Sequence, residues 1–160
     1  KVLEEFIDDA LNTFEKERVR IRFLGDISVF SGTLLEKMNR IVSVTRHFPG
    51  LTLNIAMNYG GQNEIVHGVR EAIRRVQAGE LQPDQITPQN FGEMLYFDDC
   101  GSVDLIIRPS GELRLSNFLL WQAAYAEFWF SDILWPDFKP ADFDRAIIDY
   151  QKRNRRFGGV

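Results

Sequence analysis

Apolar and polar positions follow two periods along this chain, and the places where one gives way to the other mark its elements. Val2, Leu3, Phe6, Ile7, Ala10, Leu11 and Phe14 recur at helical spacing and share one apolar face. Arg18 to Leu24 (RVRIRFL) alternates instead, as a strand does, and Gly25-Asp26 stops it. Thr33 with Glu36 forms a capping-box pattern, which predicts a helix running to about His47. Pro49-Gly50 turns the chain, and Leu51 to Met57 (LTLNIAM) predicts a buried strand. Asn58-Tyr59-Gly60-Gly61 breaks that strand and leads into a helix capped by Asn63 and reaching about Ala78. Beyond it the pattern predicts a short helix after Thr87-Pro88, a strand over Val103 to Ile107 and a helix from about Asn117. A strand over Glu127 to Phe130 and a helix over Ala141 to Arg153 complete the series. Strands separated by helices imply βαβ units, so the expected class is α/β with a mostly parallel central sheet flanked by helices. Without repeats or linkers, residues 1–160 are expected to form a single domain.

Composition narrows the function classes. A hydrophobic share of 44% and 26% charged residues describe an ordinary globular chain. The formal net charge of −4 disfavours a binder of nucleic-acid phosphates, so no nucleic acid is expected as a partner. Cys100 is the sole cysteine, which excludes an internal disulfide and a cysteine-based zinc cluster and suits a reducing compartment. No apolar run approaches the ~20 residues of a membrane span. The expectation is a cytoplasmic protein, with peripheral membrane association left open. The chain opens at Lys1 in the middle of a helical pattern, and more chain is expected upstream.

Two strand-to-helix loops carry candidate chemistry, because ligands of open α/β sheets bind at the carboxyl ends of strands. In Asn58-Tyr59-Gly60-Gly61, paired glycines allow close backbone approach and the following helix start favours an anion; a tight turn explains the same residues equally well. The second loop, Arg108-Pro109-Ser110-Gly111-Glu112-Leu113-Arg114-Leu115-Ser116-Asn117, sets two guanidinium forks and a hydroxyl beside an expected helix start. Those are the donors a diphosphate needs. The alternative is that Arg108 and Arg114 pair with Glu112 and nearby acids while Ser116 caps the helix. Glu127 follows in an aromatic-rich stretch, where a carboxylate needs a cation partner: a metal, or one of those two arginines. The basic end, Lys152 to Arg156, is either a solvated helix terminus or an arm with an anionic target.

Taken together, these residues resemble the cis-prenyltransferases, the undecaprenyl diphosphate synthase family. Arg108, Gly111-Glu112, Arg114, Ser116-Asn117-Phe118, Trp121-Gln122, Tyr125-Ala126-Glu127 and Trp135-Pro136-Asp137-Phe138 stand where that family's C-terminal signature has them. Asn58-Tyr59-Gly60-Gly61 resembles its Asn-Tyr-Gly-Gly-Arg block, and Arg156-Phe157-Gly158 its terminal Arg-x-Gly. The resemblance implies a transferase that joins isopentenyl diphosphate to an allylic diphosphate. It implies that Arg108, Arg114 and Ser116 hold the isopentenyl diphosphate, and that Glu127 helps place Mg²⁺. It further implies a homodimer in which Arg156 and Gly158 reach the partner's substrate. Leu51, Leu53, Ile55 and Met57 share a strand face and are candidates for the wall of a product tunnel, with ordinary core as the other role.

The chain also departs from the family pattern. The family's Asp-Gly-Asn-x-Arg loop, with its essential Asp, belongs upstream of Lys1, so no catalytic residue is assigned within these residues. The chain is accordingly expected to be the C-terminal part of a catalytic domain, inactive by itself. Pro109-Ser110 replaces the usual Thr-Gly, and Gln62 stands where Arg is common. A second reading is a non-catalytic partner subunit of the same family. Arg108, Arg114, Ser116 and Glu127 are all present, which favours the catalytic one.

Overall fold

The computed structural model describes residues 13, 14, 16–97 and 102–154. The first predicted helix, Cys100 and the Arg156–Gly158 end lie outside the described residues, apart from Thr13 and Phe14 of that helix. The chain divides into two compact units, Lys1–Gly60 and Gly61–Val160.

In the first unit, β1 (Arg20–Leu24) and β2 (Thr52–Ala56) pair in parallel, from Arg20 opposite Thr52 to Leu24 opposite Ala56. Parallel neighbours need a crossover, and α1 (Gly32–Thr45) supplies it. Met38 and Ile41, one turn apart on α1, are buried with Ile21 of β1. Phe23, Leu34, Ile55 and Met57 pack around them. Buried Thr45 ties helix to strand: its Oγ1 donates to the Ile41 carbonyl at 2.8 Å and accepts from the Ile21 N–H at 3.0 Å.

Two details differ from expectation. Ser31, not Thr33, precedes the helix, because the Ser31 carbonyl already accepts from the Leu35 N–H at 2.9 Å. β2 is also less buried than its apolar run suggested. Leu51 and Leu53 are exposed, and of the four tunnel candidates Ile55 and Met57 join the core.

The second unit holds α2 (Gly61–Gln77), α3 (Pro88–Gly92), β3 (Leu105–Arg108), β4 (Glu127–Phe130) and α4 (Pro140–Gln151). β3 and β4 are again parallel, from Leu105 opposite Glu127 to Arg108 opposite Phe130. Ala72 of α2 packs with Phe91, Met94 and Leu95. Thr87 caps α3 reciprocally with Asn90, as its Thr-Pro start predicts. α4 is held to β4 by the Trp129 indole, whose Nε1–H donates to Asp149 at 3.2 Å. That bond, with Lys152 nearby, keeps the Asp149 carboxyl below its ordinary range.

The helix expected from Asn117 is not formed. Residues 109–126 run as turns that end in a 3-10 turn over Gln122–Tyr125. Ser116, Asn117 and Leu119 all have positive φ, at 50°, 64° and 47°, and left-handed residues cannot propagate a right-handed helix. Parallel strands with helices between them nevertheless bear out the α/β class. Among the described residues, no helix is long and apolar enough to cross a membrane.

Candidate functional site

The end of β3 delivers Arg108 into a cavity of ≈ 230 Å³ lined by Ile106, Ile107, Pro109, Arg114, Leu115, Phe118, Phe128, Phe130 and Trp135. The walls are mostly apolar and the cations sit together. Arg108 Nη2 donates to Ser116 Oγ at 3.4 Å. Its Nε–H is buried and has no hydrogen-bond partner among the described residues. A buried guanidinium donor left unsatisfied needs an acceptor that the described residues do not provide. Arg114 is exposed and pairs with Glu112. An exposed pair of this kind contributes little and yields readily to a more highly charged anion.

The loop's backbone is used structurally. Pro109 has no N–H, while Ser110 and Gly111 donate to the Ile133 and Ser131 carbonyls, both at 2.8 Å. With no helix at Asn117, the expected helix-terminus donors are missing too. The side chains of Arg108, Arg114 and Ser116 are the donors that the structure brings to one place.

The glycine loop is also corrected. The start of α2 holds no free anion site at its first two N–H groups. Gly61 N–H donates to the Asn117 carbonyl at 2.7 Å, and Gln62 N–H to Asn117 Oδ1 at 2.9 Å. The cap expected from Asn63 comes instead from Asn117, far along the chain.

Glu127 opens β4, half-buried, and its partner is neither arginine proposed from sequence. Arg153 Nη1 donates to Glu127 Oε2 at 2.7 Å and to the Phe128 carbonyl at 2.8 Å. The basic end is thus partly anchored, since Arg153 belongs to it. Among the described residues, no three His, Cys, Asp or Glu side chains cluster as a metal site. Mg²⁺ commonly takes one or two carboxylates, with substrate phosphate oxygens and water completing the octahedron. Glu127 offers one carboxylate of that kind, engaged in this structure by Arg153.

The residues that periodicity missed are Asn117 in its capping role, Arg153 as the Glu127 partner, and Glu64. Glu64 is fully buried on α2, where its Oε2 accepts from Gln122 at 3.0 Å. Its buried helix face is shared with Gly61, Gly68 and Ala72, small residues whose spacing carries little apolar signal.

The family model described as putative undecaprenyl diphosphate synthase matches residues 1–158. The chain belongs to that family, the cis-prenyltransferases. It is 48% identical over 154 residues to the ditrans,polycis-undecaprenyl-diphosphate synthase ((2E,6E)-farnesyl-diphosphate specific) of Salmonella paratyphi A, matching 96% of this chain and 61% of that protein. It is 46% identical over 160 residues to an isoprenyl transferase of Clostridium perfringens, matching 100% of this chain and 63% of that protein. The chain thus spans 61–63% of the length of these cis-prenyltransferases. Lavandulyl diphosphate synthase from Lavandula x intermedia, solved in complex with dimethylallyl diphosphate, superposes with a TM-score of 0.93 at 32% identity. That superposition covers 99% of this chain and 69% of the lavender enzyme.

Proposed function

We propose that the protein is an isoprenyl transferase that condenses isopentenyl diphosphate with an allylic prenyl diphosphate into a cis-polyprenyl diphosphate, and that residues 1–160 are the C-terminal part of its catalytic domain. The observation that carries this reading is Arg108: its guanidinium has a buried N–H without a partner among the described residues, and the residue lines a mostly apolar cavity with Arg114 and reaches Ser116. A diphosphate supplies the missing acceptor, and the apolar walls suit the isoprenoid carbons attached to it. In the reaction the double bond of isopentenyl diphosphate attacks the allylic carbon. The allylic C–O bond breaks, diphosphate leaves, and a proton is lost to form the cis double bond. Arg108, Arg114 and Ser116 hold the isopentenyl diphosphate so that its double bond is aligned for attack. Glu127 would hold Mg²⁺, which when bound supplies positive charge to the diphosphate oxygens. The residues that hold the allylic diphosphate belong to the remainder of the domain.

The protein is read as a cytoplasmic homodimer, with peripheral membrane contact where its lipid-like product leaves. Support for the dimer comes from large side chains left exposed within one short stretch of chain, at Tyr125, Leu134 and Trp135. In this reading Arg156 and Gly158 reach the diphosphate of the partner subunit. A mixing experiment on the full-length protein tests both claims. Arg108→Ala and Arg156→Ala should each nearly abolish turnover alone. In random mixtures about half the dimers should regain one intact site, because the two lesions fall together in the other site. No recovery despite demonstrated subunit exchange would remove the shared site. Wild-type isopentenyl diphosphate affinity in Arg108→Ala would remove the functional assignment itself. Glu127→Gln should lower turnover and flatten its response to Mg²⁺ while circular dichroism stays unchanged.

A further inference from the structure

We infer that Asn117 is a positioning residue, one that holds the substrate loop in its binding geometry by capping α2 from the far side of the sequence; this rests on the diphosphate reading above. Three residues just after Ser116 clasp the start of α2. Asn117 takes both leading N–H groups of the helix, through its carbonyl to Gly61 and its side chain to Gln62. Leu120 lies so close to Gly61 that a Cβ there would stand 2.7 Å from Leu120 Cγ. Gln122 donates to the fully buried Glu64.

These contacts explain why the chain tolerates left-handed backbone at Ser116, Asn117 and Leu119. Such residues persist only where their surroundings over-determine them. Ser116 is adjacent to Asn117, so the clasp fixes where its hydroxyl sits relative to Arg108. Asn is also the side chain best suited to both tasks, since it enters the left-handed region easily and offers an acceptor for a helix N-terminus. Asn117 need not touch substrate to matter.

The test separates the acceptor from the backbone conformation, in the full-length protein. Asn117→Asp keeps an acceptor oxygen and tolerates positive φ. Asn117→Gly keeps the conformation and loses the acceptor, and Asn117→Ser offers a shorter one. Inorganic diphosphate binding is measured by calorimetry beside kcat and KM for isopentenyl diphosphate. Asn117→Gly should weaken diphosphate binding and raise KM by about tenfold, the worth of a hydrogen bond or so, with kcat changed far less. Asn117→Asp should remain within about twofold of wild type and Asn117→Ser should fall between. If Asn117→Gly does not fold, the Asp and Ser variants carry the comparison. Equal diphosphate affinity across the folded variants, with only the melting temperature lowered, overturns the positioning role and leaves the functional reading standing. A wild type that ignores diphosphate overturns both.

Discussion

β1 and β2 are joined through a regular helix whose Met38 and Ile41 bury against Ile21, whereas β3 and β4 are joined by residues 109–126, which hold turns and left-handed residues in place of an α-helix. The first crossover is stabilised by apolar burial and one satisfied threonine. The second leaves Arg108 Nε–H without a partner among the described residues, and its Ser110 and Gly111 N–H groups donate to the Ile133 and Ser131 carbonyls. The same parallel connection is thus built once around an apolar core and once as an irregular loop beside a cavity. A regular helix would have carried Ser116 and Asn117 away on a rigid 3.6-residue spiral; the irregular connection lets them face Arg108 and α2 respectively.

The sharpest way to break this contrast is Met38→Ala. It should cost about 2–5 kcal/mol of stability through loss of burial and the cavity left behind. Chemical denaturation should show it, while the folded fraction binds diphosphate as wild type does. A parallel loss of diphosphate affinity would mean that the two crossovers are not separable in function.

Arg114→Ala is the reverse case and the next largest effect. It should leave the denaturation midpoint nearly unchanged, because the pair with Glu112 is exposed. Affinity for isopentenyl diphosphate should fall by the roughly 1.5–3 kcal/mol of a charge-assisted contact, read as a higher KM. An unchanged KM would confine anion recognition to Arg108 and Ser116.

The smallest effect concerns α2 beyond the clasp. Arg74 and Arg75 donate to Glu71 and hold its carboxyl at about 2, against an ordinary 4.5. A folded-state value below the unfolded one stabilises above pH 4.5, and the contribution is lost as pH falls toward 2. Glu71 is partly exposed and Arg74 is exposed, so solvent screens the pair and melting temperature should decline only slightly over that window. Glu71→Gln should remove that part of the decline, and a variant with the same acid profile as wild type would assign it to other carboxylates.

Much of the architecture was legible because it rests on local rules. Alternation over Arg20–Leu24, apolar spacing in α1 and α2, and the Thr87-Pro88 start each describe what a short segment does with its own side chains. The proposed site residues were legible for another reason: Arg108, Arg114 and Ser116 stand in a long motif of donor side chains. What failed were two helix caps and one ion-pair partner. Ser31 displaced Thr33 as the cap of α1, Asn117 took the place of Asn63, and Glu127 chose Arg153 over the nearer arginines.

The sequence by itself determined the α/β class, the family and the chemical character of the site, since periodicity and residue type are properties of the chain alone. The tertiary structure decided which N–H and carboxylate groups remain for a ligand. Asn117 and Gln62 are far apart in sequence, and only folding reveals that the N-terminus of α2 is already occupied. Hydrogen-bond capacity is consumed group by group, by whatever neighbour the fold supplies, and no local pattern encodes that neighbour.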